Sequence, residues 1–245
     1  MIGNLVEEKA PSKGMAWSVI ALGILAFIVS LIGGFAVSRG VMTAHTPAEA
    51  MGAVAGGGSI LIVGGVIGFI AGVLQIVVLY SWNKAITTNI DNTKMIFQLA
   101  HDKVEDSEKK ENLNAFLLKV SRLEVSTWAF WAYIILYIIG MFMGMGFKTV
   151  LNILAFIFLA IYLQSIFSVS SELSKAKNTV YTYFMEKPAL IPEVKKRNII
   201  LVIVLSVITF TIYWLYLLVK LTDEIREFVL TDQTVRRSVI EAISK

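Results

Sequence analysis

Several residue types are scarce in this chain, and each scarcity excludes a class of function. There is no cysteine, which excludes disulfides, thiolate metal sites and cysteine nucleophiles. The two histidines, His45 and His101, lack the further ligands that a metal site needs, although Glu49 follows His45 by four residues. The sequence also lacks a phosphate-binding glycine loop, a nucleophile elbow and an HExxH motif. We therefore predict that the protein is not an enzyme and holds no metal or cofactor.

Charged residues are absent from five long apolar stretches, and this absence predicts the fold class. The stretches are Met15–Ser38, Met51–Trp82, Val125–Phe147, Thr149–Ser171 and Asn198–Val219. Each exceeds the roughly 20 residues that a helix needs to cross about 30 Å of hydrocarbon. The mean hydropathy of +0.72 is too high for an ordinary soluble domain. The sequence thus predicts an all-α, polytopic helical membrane protein whose single membrane domain, 1–245, has spans at about 15–38, 52–82, 125–147, 149–171 and 198–219.

The basic residues predict the orientation of these spans. Lys9 and Lys13 precede the first span, which is longer than the core of a cleavable signal, so we expect a retained first helix. With a cytoplasmic amino terminus, five spans place fifteen Lys and Arg on the cytoplasmic side and seven on the other. This excess predicts a multi-pass protein of the cell membrane with its amino terminus inside. Five spans also put the carboxyl tail outside, although its sequence pattern resembles that of the polar segments on the cytoplasmic side. Either the tail is external or one apolar segment does not span.

Small residues recur every fourth position in the first spans and predict close helix packing. Side chains four residues apart share a helix face, and small ones let two backbones approach within a membrane. The packing therefore either joins the first two helices or joins two copies of the chain. The predicted packing residues are Ala26, Ser30 and Gly34 in the first span, Gly64, Gly68 and Gly72 in the second, and Gly140 and Gly144 in the third.

The polar segments between the spans have helical periodicity. The segment 83–124 is predicted to form a helical hairpin that is broken at Asp106–Asn112 and continuous with the flanking spans. Phe97 and Phe116 are apolar positions on its charged arms, and we predict that they bind a partner. A polar segment follows at 172–197, and an amphipathic helix is predicted at 220–245, where Asp232 interrupts the apolar register.

These features favour a non-catalytic integral membrane scaffold or accessory subunit. Its partners would be the lipid bilayer and either a second copy of the chain or another membrane protein. Net charge of +4, with acids and bases interspersed, does not indicate nucleic-acid binding. The alternative is a subunit of a channel or transporter for an uncharged or small solute. Its path would be lined by neutral polar residues within the helices, namely Gln75, Asn152, Gln164, Ser206, Thr209 and Thr211.

One stretch resembles a known family. Residues 205–216 read LSVITFTIYWLY and follow Lys195, Lys196 and Arg197. They resemble a small prokaryotic integral membrane domain of unknown function, whose first helix carries a Leu-Ser-x-Ile-Thr-x-Gly-Ile-Tyr-x-x-Tyr-Trp pattern. Thr211 stands at the glycine of that pattern and Leu217 at its final tryptophan. The resemblance covers about residues 195–220 and implies only a membrane domain without an assigned activity.

Overall fold

The described part of the chain is helical. The computed structural model describes residues 5–185, 190–209 and 211–244, with the backbone alone at Met145 and Ser244. Within these ranges there is no β-strand, which confirms the all-α class. The helices are α1 (Lys13–Thr43), α2 (Pro47–Lys103), α3 (Ser107–Ser121), α4 (Thr127–Met141), α5 (Met145–Tyr181), α6 (Ile199–Ile208) and α7 (Ile212–Ser244). Of these, α1, α2 and α5 are long and apolar enough to cross a membrane.

The chain divides into two compact units, of which the smaller, Ser12–Leu79, is a helical hairpin. The turn before α2 is held by Glu49, whose carboxylate accepts the His45 N–H at 2.8 Å and whose own N–H donates to Thr46. This pairing is a helix-capping arrangement, so the four-residue spacing of His45 and Glu49 has a structural explanation. Antiparallel packing of α1 on α2 then brings Gly33 opposite Leu61.

Some of the predicted packing residues of this hairpin lie where α1 contacts α2, and others do not. A methyl carbon placed on Gly64 would lie 3.2 Å from the Ser30 backbone nitrogen and 3.3 Å from the Ala26 carbonyl oxygen. One placed on Gly68 would meet only the Ala26 Cβ at 3.7 Å, which is ordinary contact. At Gly34 it would meet nothing within 4 Å, because the neighbouring Gly33 faces α2 instead. Gly72 is half-buried on α2.

The larger unit comprises Met1–Pro11 and Tyr80–Lys245. Its first helical arm is the polar end of α2, which continues from the apolar part without interruption, as predicted. The break falls at residues 104–106, earlier than predicted, because the Asp106 carboxylate accepts the Glu108 and Lys109 N–H groups and starts α3 there. The second arm is not continuous with the next apolar helix, since residues 122–126 separate α3 from α4.

The third apolar stretch forms a shorter helix than predicted. α4 ends at Met141, and Gly144 lies beyond it as the residue that precedes α5. Gly140 and Gly144 therefore do not share one helix face. Gly140 packs against α5, where a methyl carbon on it would lie 3.2 Å from the Asn152 side-chain oxygen. A methyl carbon on Gly144 would meet nothing within 4 Å.

The fifth predicted span is not one helix but a hairpin of α6 and the start of α7. The guanidinium of Arg197, before α6, binds the Glu224 carboxylate at 2.7 and 2.9 Å, whereas one straight helix would separate the two residues by about 40 Å. The chain turns at Thr211, whose φ of 71° lies in the left-handed region that favours glycine. Thr211 is also the position at which the family pattern named above has glycine. The Thr211 N–H donates to the Ser206 carbonyl at 2.7 Å, and the Tyr213 N–H donates to the Thr209 hydroxyl at 2.9 Å.

Candidate functional site

Charged side chains of opposite sign meet in the interior of the larger unit. Two carboxylates and two basic groups lie together with two asparagine amides, and none of the six residues is more than 6% exposed. Full burial of charge is rare unless the charges are paired, so this group is the most unusual chemical feature of the unit. We call it the ionic cluster, and its members are Glu8, Asn89, Asn92, Lys177, Asp232 and Arg236.

The members lie on four separate segments of the chain, and each occupies a position that faces the interior of the larger unit. On α7 the buried face runs through Leu221, Ile225 and Phe228, and Asp232 is the next residue on that face. Arg236 follows Asp232 by one helical turn. The buried face of α5 similarly presents Lys177, and the polar end of α2 presents its two asparagines. The fourth segment is the extended chain before α1, which supplies Glu8.

Asp232 is the centre of the cluster. Its Oδ1 lies 2.8 Å from the Lys177 Nζ, and its Oδ2 accepts the Asn89 amide at 2.8 Å. Arg236 binds the same carboxylate from one turn further along α7. Lys177 also donates to the Asn89 side-chain oxygen and lies 5.2 Å from the centre of the Phe228 ring. These contacts join α2, α5 and α7 through one carboxylate.

Glu8 attaches the amino-terminal segment to the same network. Its carboxylate binds the Arg236 guanidinium at 2.6 Å and accepts the amides of Asn89 and Asn92 at 3.0 and 2.7 Å. The Asn92 side chain also pairs with both the N–H and the carbonyl of Val6, at 2.9 and 2.8 Å. The segment is thus held by charge and by hydrogen bonds between its backbone and the Asn92 side chain. The network contains two negative and two positive groups and is balanced in charge.

Burial and ion pairing act in opposite directions on these groups. For Lys177, burial outweighs the attraction by Asp232 and lowers the pKa of the ammonium to about 8. Burial raises the pKa of Asp232, but attraction by Lys177 and Arg236 outweighs burial, so the pKa of this carboxyl lies below its ordinary value. For Arg236, burial lowers the pKa, while Asp232 and Glu8 together raise it above its ordinary value. Because the pKa of Asp232 is lower in the folded chain, its stabilising contribution is present above the ordinary carboxyl pKa of about 3.9 and is lost as the pH falls towards the folded value.

Part of the cluster is closed to solvent and part borders the surface. Lys177 and Asp232 have no solvent exposure, so a substrate has no access to either group. At its edge the cluster borders a surface pocket of about 640 Å³, which is lined by Glu8 and Arg236 among others. The Arg236 Nε has no hydrogen-bond partner among the described residues, while the Nη2 of the same guanidinium binds both carboxylates.

The residues predicted to bind a partner have different environments. Phe97 is fully buried and meets the Tyr181 ring edge-on at 6.3 Å, so it contacts the chain itself and is not available to a partner. Phe116 is half-buried on α3. Burial of Phe97 follows from its place on the α2 face that packs into the unit, and the sequence pattern alone did not distinguish that face from a partner surface.

The polar residues predicted to line a pore face different neighbours. Asn152 faces Gly140 of α4, whereas Gln164 borders a groove between α5 and α6. The Thr209 and Ser206 hydroxyls donate to carbonyls of their own helix, at 2.7 Å in both cases.

Sequence reasoning did not identify the ionic cluster, although one signal pointed to it. Asp232 interrupts an apolar register, and a charged residue at a core position implies a buried counterion. Lys177 and the two asparagines lie among polar neighbours on their own segments, so nothing in the sequence marks which of them face inward. Apart from Asp232 and Arg236, the paired residues lie far apart in the chain, from 55 positions for Lys177 and Asp232 to 228 for Glu8 and Arg236.

Comparisons with known proteins add no assignment. No family model matches the chain, and neither the curated proteins nor the solved structures gave a significant match.

Proposed function

We propose that the protein is a multi-pass integral membrane scaffold without catalytic activity. Its apolar helices support membrane insertion, because they expose large apolar side chains that a soluble protein would bury. Phe27 and Phe35 on α1 are 65% and 73% exposed, and Ile62 on α2 is 69% exposed. Contiguous apolar surface of this extent is unfavourable in water and favourable in lipid.

The ionic cluster supports a specific topology. Glu8, Asn89, Lys177 and Asp232 are joined by hydrogen bonds and ion pairs, so all four lie on one side of the membrane. Each apolar part of the chain between two of these residues must therefore leave that side and return to it. α1 with α2 makes one such excursion, and α4 with α5 makes another, in which the 15 residues of α4, about 22 Å long, form the shortest of the proposed crossings. The excursion between Lys177 and Asp232 is the α6–α7 hairpin.

The α6–α7 hairpin replaces the fifth crossing with a re-entrant segment. The ten residues of α6 extend about 15 Å, or half of the hydrocarbon thickness of about 30 Å. The backbone N–H groups of Thr209, Thr211 and Ile212 are hydrogen-bonded within the chain, which favours placement of the turn in the membrane interior. With the last segment on the cytoplasmic side, the count of Lys and Arg changes from fifteen inside and seven outside to twenty inside and two outside. We therefore propose four crossings, with both termini cytoplasmic.

Cysteine labelling tests this topology, since the natural chain has no cysteine. Single substitutions Ser107→Cys, Ser238→Cys and His45→Cys lie at exposed positions. In inverted membrane vesicles, an impermeant maleimide should label the first two variants, and the third should react only after the membrane is opened. Labelling of Ser238→Cys together with His45→Cys, from the side opposite Ser107→Cys, would restore the five-span topology.

The scaffold role follows from what the larger unit contains. Its buried charges join α2, α5, α7 and the amino-terminal segment into one helical bundle, which we place on one face of the membrane. Such a bundle presents helix surfaces, not a reactive site. The half-buried Phe116 on α3 is our proposed contact for a second copy of the chain or for another membrane protein. No contact among the described residues specifically favours the channel or transporter alternative.

Substitution of Phe116 tests the scaffold proposal. We expect the purified wild-type protein in detergent to have a mass above the 27.1 kDa of one chain, or to retain a partner. Phe116→Lys should reduce that association with no change in helix content, because a lysine ammonium at an apolar contact must be desolvated. Asn114→Lys adds the same charge at an exposed position of α3 and serves as the control. A monomer without partners in the wild type, measured by light scattering and mass spectrometry, would contradict the proposal.

A further inference from the structure

An apolar groove with a polar end lies between α5 and α6. Its volume is about 510 Å³, and its walls are mainly large apolar side chains, including Phe156, Ile157, Ile161 and Ile203. Two neutral polar side chains, Gln164 and Ser168, lie four residues apart on α5 and so share the face that lines the groove. Neither side chain has a hydrogen-bond partner in the part of the chain that the structure describes. Both side chains are half-buried beside apolar walls, which favours a ligand that supplies polar groups at one end and an apolar chain at the other.

The surroundings of the polar end are basic. Glu172 follows Ser168 by one turn of α5, and its carboxylate is paired with Lys119 at 2.5 Å and is also attracted by Lys175 and Lys196. Lys195 and Lys196 are exposed just before α6, and neither forms an ion pair within the described residues. With Glu193, which accepts the Ser171 hydroxyl, and the Arg197–Glu224 pair beside Lys195, the mouth holds three carboxylates, four ammonium groups and one guanidinium. The excess charge is positive, at the level where α6 enters the apolar region.

We infer that this groove binds one anionic phospholipid. The acyl chain lies along Ile157, Ile161 and Ile203, and the ester region meets Gln164 and Ser168. The phosphate lies near Lys195 and Lys196, which are outside the groove lining and precede its residue Ile199 by four and three positions. Basic pockets between membrane helices on the cytoplasmic side commonly hold acidic headgroups, because the lysines gain charge complementarity near the membrane surface. The groove volume also falls within the usual range of about 300–1,000 Å³ for small-ligand sites. The inference rests on the proposed membrane function.

Native mass spectrometry and thermal unfolding of the full chain in detergent provide the test. Added phosphatidylglycerol should bind at a stoichiometry of one lipid and raise the unfolding temperature more than phosphatidylcholine does. The double variant Lys195→Gln, Lys196→Gln should weaken phosphatidylglycerol binding by roughly 10- to 30-fold. Ala160→Phe, which fills the groove, should abolish the bound lipid, and Gln164→Leu should weaken retention of both lipids. The double variant Lys109→Gln, Lys110→Gln removes the same charge from exposed positions on α3 and should bind as the wild type does.

The outcomes separate this inference from the proposed function. Failure of the protein to resist alkaline extraction from membranes would refute the membrane function and the lipid site together. A membrane-integral protein that binds both lipids equally, or whose binding is unchanged in Ala160→Phe, would refute the lipid site alone. Inorganic phosphate should give no stabilisation at the concentrations used; equal stabilisation by phosphate would show a simple anion site and would also overturn the inference.

Discussion

Lys177→Met should lower the free energy of unfolding by about 3–5 kcal/mol, the largest effect that we expect from a single substitution. The lysine is fully buried, and its removal leaves Asp232 with one fewer positive partner in a region that water does not reach. The carboxylates of Glu8 and Asp232 would then share one positive group, the Arg236 guanidinium. Methionine has a similar length and no charge, so the loss reports the ion pair and not a cavity. Chemical unfolding in detergent, followed by circular dichroism, measures the change.

Two further variants make this prediction specific. Lys119→Met makes the same chemical change in the exposed Lys119–Glu172 pair and should cost less than about 1 kcal/mol. The double variant Lys177→Met, Asp232→Leu removes one charge of each sign and leaves the Glu8–Arg236 pair balanced. Its loss should be smaller than the sum of the two single losses. If Lys177→Met is no more damaging than Lys119→Met, the cluster does not stabilise the larger unit.

Gly57→Ala should destabilise the α1–α2 hairpin by about 1–3 kcal/mol, although alanine is the better helix former. A methyl carbon on Gly57 would lie 2.8 Å from the backbone nitrogen of Val37 and 3.0 Å from the carbonyl oxygen of Gly33. Backbone atoms cannot move aside as the end of a flexible side chain can, so the two helices must separate. In the membrane, such separation also loses the dispersion contacts that hold the helices together. Thermal unfolding in detergent measures the loss.

The adjacent glycine is a matched control for this substitution. A methyl carbon on Gly58 would meet nothing within 4 Å, so Gly58→Ala should stabilise the helix by about 0.5–1 kcal/mol. The pair of variants differs by one residue in position and is identical in chemistry. Opposite signs for the two changes in unfolding temperature would support the packing face; equal stabilisation by both alanines would show that α1 and α2 are not in contact at Gly57.

Several of these features could be predicted from the sequence because they depend on local pattern. Period and length identify helices, and the predicted small-residue face on the second span correctly includes Gly64, which packs against Ser30. It is harder to predict which of two adjacent small residues contacts the other helix. Gly33 and Gly34 differ by only 100° of helix rotation, and both are small. In the polar hairpin, the break begins earlier than the predicted Asp106–Asn112, because the capping ability of Asp106 decides where α3 begins.

The sequence alone determined that the chain is all-helical and carries long uncharged stretches, since helix periodicity and hydropathy are properties of adjacent residues. Only the tertiary structure decided that Asn198–Val219 turns back at Thr211, because this turn brings together Arg197 and Glu224, an ion pair between residues far apart in the chain. Likewise, the ionic cluster exists only after four separate segments meet. A charged residue on a helix has the same neighbours in sequence whether its side chain faces water or a buried counterion. Which of the two it faces depends on the helix face that the rest of the fold covers.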